Sequence, residues 1–124
     1  MPKIVVLIMV LALMSGGCSG DYWKAKFHLF QAENAYWKGH ELRTKKVPRE
    51  ERLKKYEHAC NDFLKVYDLK PGLFTLFRIE SAYDACTRVG NEGGKETFEI
   101  FRDRYVQEHP TEAEYGDAVP SLDA

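Results

Sequence analysis

The chain has 124 residues, 44% of them hydrophobic and 30% charged, with 18 Lys and Arg against 19 Asp and Glu and a formal net charge of −1. That length holds one hydrophobic core rather than two, and a charge so near zero removes the electrostatic footprint of general nucleic-acid binding. The apolar residues are unevenly spread, with an uninterrupted run from Ile4 to Met14 that contains two of the three Met.

Residues 1–17 combine Lys3, that apolar run and the small residues Ser15-Gly16-Gly17. The run makes about 16 Å of helix at 1.5 Å per residue, well short of the roughly 30 Å hydrocarbon core, so it reads as a signal peptide rather than a span. Met14-Ser15-Gly16-Gly17-Cys18 resembles a bacterial lipobox. The resemblance implies cleavage before Cys18 and acyl chains on that residue, with 18–21 as the anchor. Ser15 departs from the usual Leu three residues before the Cys. The alternative is an ordinary secretory leader cut near Gly17, which would leave Cys18 as a third thiol. Ser19 follows where inner-membrane-retained lipoproteins carry Asp, which by the same resemblance implies the outer membrane and its periplasmic side. Several acyl chains on one residue anchor stably where a single chain does not.

The expected body is all-α, four helices spanning residues 22–110. Ser19-Gly20-Asp21 reads as a flexible step and a plausible N-cap. From Tyr22 to about Lys46 only Gly39 interrupts a helical pattern, with Tyr22, Ala25, Leu29, Ala32 and Tyr36 on one face and Trp23, Phe27, Phe30 and Trp37 on an adjoining one. Pro48 suits a first helical position, and Leu53, Tyr56, Cys60, Phe63 and Tyr67 mark the stripe of a second helix ending near Leu69. Pro71-Gly72 forces a turn; a third helix, about Leu73 to Val89, carries Leu76, Ile79, Tyr83 and Cys86. Gly90 to Gly94 reads as a turn, and Phe98, Phe101 and Tyr105 lie on a fourth helix from about Lys95 until Pro110. Residues 111–124 hold Glu112, Glu114, Asp117 and Asp123 without Lys or Arg, an acidic tail expected to be flexible.

Ala59, Phe63, Val66 and Pro71 follow at offsets of four, three and five. This looks like the second helix of a tetratricopeptide repeat, where a small residue admits the preceding helix, an aromatic fills the gap and Pro ends the unit. Around Pro110 the same register holds Phe98, Arg102 and Tyr105, a poorer match. With the lipobox Cys and Tyr105-x-x-x-His109-Pro110, residues 49–110 resemble the tetratricopeptide-type lipoproteins of the outer-membrane assembly machinery (BamD/YfiO type), truncated to two hairpins. Pilus and secretin-assembly lipoproteins are similar. A plain four-helix bundle is the alternative fold.

Cys60 and Cys86 lie on consecutive helices. In an ideal hairpin about Pro71-Gly72, Cys60 faces Tyr83, so Cys86 is about 4.5 Å further along the axis; a disulfide and two buried thiols both remain open. His28, His40, His58 and His109 form no metal motif, since His58 and Cys60 diverge by about 200° on a helix. With no nucleophile elbow and no phosphate loop, the sequence predicts no catalytic residue, cofactor or metal, and no enzymatic activity. Arg43, Lys45, Lys46, Arg49, Arg52, Lys54 and Lys55 cluster around the first turn, as a solvated turn or a dock for an acidic partner or lipid headgroups. The chain holds seven Phe, seven Tyr and two Trp, and Trp23, Phe27, Phe30 and Trp37 are the candidate partner surface. Cover by neighbouring helices and an interfacial belt beside the lipid are the competing readings. The expected function is a membrane-anchored periplasmic adaptor that binds another envelope protein. A permanent structural subunit of an envelope complex, or a periplasmic ligand carrier or enzyme, are the alternatives.

Overall fold

The structure is a computed structural model that describes residues 18–113. Residues 1–17, expected as a signal peptide, residues 114–124 of the acidic tail expected over 111–124, and the side chains of Cys18, Ser19, Glu112 and Ala113 lie outside the described residues. The elements are α1 (Cys18–Thr44), α2 (Arg49–Leu69), a 3-10 turn (Pro71–Leu73), α3 (Leu76–Arg88), α4 (Glu92–Glu108) and a single turn α5 (Pro110–Ala113). Among the described residues there is no strand. The four long helices pack as two consecutive hairpins, α1 with α2 and α3 with α4, and α2 also packs on α3.

Helix α1 begins earlier than its sequence predicts. It runs unbroken through Ser19-Gly20-Asp21, so Asp21 sits inside the first turn, where a carboxylate complements the partial positive charge of the helix end, and does not act as an N-cap. Its far end closes with Lys46 at φ 57, Lys46 N–H donating to the Arg43 carbonyl at 3.3 Å and Val47 N–H to the Leu42 carbonyl at 3.1 Å. That paired reversal is a Schellman cap, made here without the usual Gly. Gly90 (φ +71) closes α3 in the same way, with Gly90 N–H on Thr87 and Asn91 N–H on Cys86.

The face of α1 toward α2 is built from small residues: Ala25, Ala32 and Ala35 are buried with Leu29 and Tyr36 between them. Gly39 has a specific reason to lack a side chain, because a Cβ there would stand 2.9 Å from the ring of Tyr56. Close approach of the two helices depends on that gap.

Between α2 and α3 the 3-10 turn moves the centre of the hairpin toward Leu73. Pairing about that centre sets Cys60 against Cys86 rather than against Tyr83, and the two are joined in a disulfide with Cα atoms 4.9 Å apart. Phe74, in the same connection, enters the core, its ring 6.1 Å from Phe63, 5.5 Å from Phe98 and 5.4 Å from Phe101. Thr75 then caps α3, its hydroxyl accepting from Arg78 N–H at 3.3 Å.

Helix α4 starts at Glu92, so Gly93 and Gly94 belong to its first turn and not to the preceding loop. Asn91 is the reason: its side chain accepts from Gly94 N–H at 2.9 Å, while its amide donates toward Cys60 Sγ at 3.5 Å. Gly94 is also where α4 rests on the disulfide, since a Cβ would come within 2.8 Å of Cys86 Sγ and 3.2 Å of Cys60 Sγ. One cystine thereby locates three helices.

The bond closes a sequence separation of 26 residues, which on loop entropy stabilises the fold by about 3–4 kcal/mol. Replacing both Cys60 and Cys86 by Ala is expected to lower the free energy of unfolding by that amount in urea titrations. A loss below about 1 kcal/mol would contradict the structural role.

Candidate interaction surface

At about 100° per residue, Trp23, Phe27, Phe30 and Trp37 fall within a narrow arc of α1 opposite the Ala25, Leu29, Ala32 and Tyr36 face. Trp23 is 64% exposed, Phe27 59%, Phe30 64% and Trp37 45%. The sequence placed these residues on a face adjoining the buried one. The structure sets them across the helix from it, because α2 takes the small-residue face. Helix α1 is thus apolar on two opposite sides, and only one is covered. Phe77 of α3 extends the exposed surface, stacking on Trp37 with centroids 6.0 Å apart and planes 20° from parallel.

The orientation of α1 is held by a buried polar cluster. The Tyr36 hydroxyl donates to Asp84 Oδ2 at 2.5 Å, and Arg88 Nε donates to Asp84 Oδ1 at 2.8 Å. Asp84 is 2% exposed, so both carboxylate oxygens are engaged by groups that compensate its desolvation. Burial, reinforced by the Asp84 hydrogen bond, pushes the Tyr36 hydroxyl far above the ordinary tyrosine range, so it stays a donor. His40 joins the cluster, Nδ1 lying 3.0 Å from the Tyr56 hydroxyl and Nε2 3.8 Å from Asp84. Burial holds the His40 imidazole below its ordinary value of 6.5, and Asp84 opposes this only in part. Arg88 covers the Tyr56 ring at 5.1 Å. At the edge of the exposed surface Arg78 Nε donates to Glu33 at 2.7 Å and its guanidinium also reaches the Leu73 carbonyl at 2.8 Å, a second tie between α3 and α1.

A second bridge joins α1 to α2. Asp62, 5% exposed, accepts from His28 Nδ1 at 2.9 Å, and His58 Nε2 lies 2.6 Å from its other oxygen. His58 and Asp62 are one helical turn apart, a spacing visible in the sequence, whereas His28 comes from another helix. The four histidines are therefore dispersed: His28 and His58 on Asp62, His40 at Asp84, and His109 beside Tyr105, rings stacked 4.1 Å apart. Among the described residues no group of three or more His, Cys, Asp or Glu is arranged to hold a metal.

Of the other sequence-derived sites, Cys60 and Cys86 are brought together and fully buried. Cys18 stands at the first residue of α1, about one and a half turns before Trp23. In the basic stretch Lys45, Lys46, Arg49, Lys54 and Lys55 are exposed, and Lys45 Nζ donates to Glu41 at 2.7 Å. That stretch lies at the end of α1 remote from Cys18, about 40 Å away at 1.5 Å per residue. Lys45 and Lys38 together draw the Glu41 carboxyl below its usual range, Lys45 through the larger effect. Among the described residues no helix is long and apolar enough to cross a membrane.

Two outcomes test the cluster that orients α1. Asp84→Ala should cost about 3–5 kcal/mol in urea unfolding, since it removes the carboxylate that Tyr36 and Arg88 share, while Tyr36→Phe should cost about 1–2 kcal/mol. Because the His40 pKa is depressed in the fold, its contribution is present above its unfolded value and is lost as pH falls below it. Stability measured from pH 7.5 to 5 should therefore drop more steeply in wild type than in His40→Gln; equal slopes would contradict the buried neutral imidazole.

No family model, curated protein or solved structure matches this chain.

Proposed function

We propose that the chain is a lipid-anchored adaptor of the bacterial envelope, tethered through Cys18 to the outer membrane on its periplasmic side, that holds or assembles another envelope protein of an outer-membrane, secretion or pilus complex. The observation that carries this reading is the doubly apolar α1: its inner face is filled by α2, and its outer face presents Trp23, Phe27, Phe30 and Trp37 to solvent. Exposed aromatic rings at a fixed spacing on a rigid helix are the composition of an interface anchor and cost little ordering entropy on binding.

The anchor and the surface lie on the same element. With α1 beginning at Cys18, no linker separates the proposed acyl chains from the aromatic face, so the partner would be held close to the bilayer. The tetratricopeptide-like reading draws support from burial, since Ala59, Phe63 and Val66 are all fully enclosed where that pattern needs packing residues, and α2 ends at Leu69 just before Pro71.

Cys18→Ser should move the protein from the membrane pellet to the soluble periplasmic fraction; unchanged retention overturns the anchor. A photo-crosslinking residue in place of Phe30 should give a discrete adduct with one envelope protein, absent when the same residue replaces Glu99 on α4. Equal labelling from both positions, or none from Phe30, overturns the adaptor.

A further inference from the structure

The exposed face of α1 carries more information than exposure alone. Trp23, Phe27, Phe30, Asn34, Trp37 and Glu41 follow at alternating spacings of four and three residues. On an α-helix that alternation draws a nearly straight seam, the arrangement by which one helix receives the side chains of another along its length. From Trp23 to Trp37 the seam runs about 21 Å at 1.5 Å per residue. In a stack of helical hairpins the outermost helix ordinarily turns a polar face to solvent. Helix α1 turns aromatic rings outward instead, as though one more helix belonged on it.

The margins of the seam are charged in one sense. Lys24, Gln31 and Lys38 run along one edge and Lys26 and Glu33 along the other. Glu33 is already bound to Arg78 at 2.7 Å and Lys38 to Glu41 at 3.4 Å, which leaves Lys24 as the charge offered at one edge and Lys26 at the other. Asn34 sits in the middle of the seam and is exposed. A polar residue at such a position fixes the register of a paired helix and asks for a polar side chain opposite.

We propose that the seam docks a single amphipathic helix of another protein, with an apolar ridge, acidic residues along both margins and a polar residue facing Asn34. This rests on the adaptor reading and names the chemistry of its partner. A second copy of the chain fits less well, because it would bring Lys24, Lys26 and Lys38 to the same margins from both sides. A bilayer surface fits less well too, because Asn34 and Glu41 stand on the line of the rings, and the Glu41 carboxylate would meet an anionic headgroup layer.

Trp23 and Trp37 are the only two Trp of the chain and both lie on the seam, so intrinsic fluorescence reads it directly. The full lipidated chain in nanodiscs of zwitterionic lipid is titrated with a designed helical peptide carrying a Leu ridge and Glu margins, and with the same peptide carrying Lys margins. The Glu peptide should shift the emission to the blue and bind at least tenfold more tightly than the Lys peptide. Lys24→Glu combined with Lys38→Glu, both at exposed positions, should invert the preference. Equal binding of the two peptides, or binding of neither, overturns the proposal. Emission already shifted before peptide is added, and shifted further by anionic lipid, assigns the seam to the membrane; a shift that grows with the number of copies per nanodisc assigns it to a second copy. If the peptides fail while crosslinking from Phe30 still finds an envelope protein, the helix chemistry falls and the adaptor stands. If both fail, both fall.

Discussion

The carboxylate of Asp84 is the point on which the arrangement of the two hairpins turns. It is almost completely withdrawn from water, and its two oxygens are taken by Tyr36 from α1 and by Arg88 from the next turn of its own helix. A buried charge of this kind adds little net stability over an apolar pair of the same shape, but it is costly to break, so it selects one rotation of α1 about its axis over its neighbours. Turning α1 by a fraction of a turn would leave Asp84 Oδ2 without its donor and Tyr36 without its acceptor. The same rotation would carry Phe30 toward the core and Ala32 toward solvent. Polar specificity and outward display of the aromatic rings are therefore one constraint.

Around that pivot the other restraints divide by hairpin. In the first, the absent side chain at Gly39 lets the ring of Tyr56 lie against α1, and Asp62 ties His28 to α2. In the second, the cystine serves as a floor for α4, with Gly94 resting on the sulfurs and Asn91 both capping the helix and touching Cys60. Phe74, from the connection, fills the space beneath with Phe63, Phe98 and Phe101. The core is small and aromatic, and much of its definition comes from places where a side chain is missing.

Helix-by-helix, the pattern of apolar residues was a sound guide. The buried stripes of α2 and α3 include Tyr56, Cys60, Phe63, Ile79 and Cys86, as the 3- and 4-residue spacing requires. The beginnings of helices were less legible. Gly93 and Gly94 look like loop until the cystine beneath explains why a residue without a side chain opens α4, and Ser19 to Asp21 look like a step until α1 is seen to run through them. Asp84, the residue that fixes the orientation of the hairpins, carried only the weak signal of Arg88 four positions later. Its partner Tyr36 is 48 residues away in sequence, and no local pattern pairs them.

From sequence alone come the helical class, the breaks at Pro48, Pro71 and Gly90, and the presence of four aromatic residues on α1 beyond those its core face needs, because each follows from local periodicity and backbone preference. Tertiary structure decided that Cys60 meets Cys86, that the aromatic face lies opposite the buried one, and that the seam margins present lysine once Arg78 has taken Glu33. Those outcomes depend on how a short 3-10 turn sets the register of a hairpin and on which of two apolar faces finds a neighbour. Both are settled by packing between segments distant in the chain.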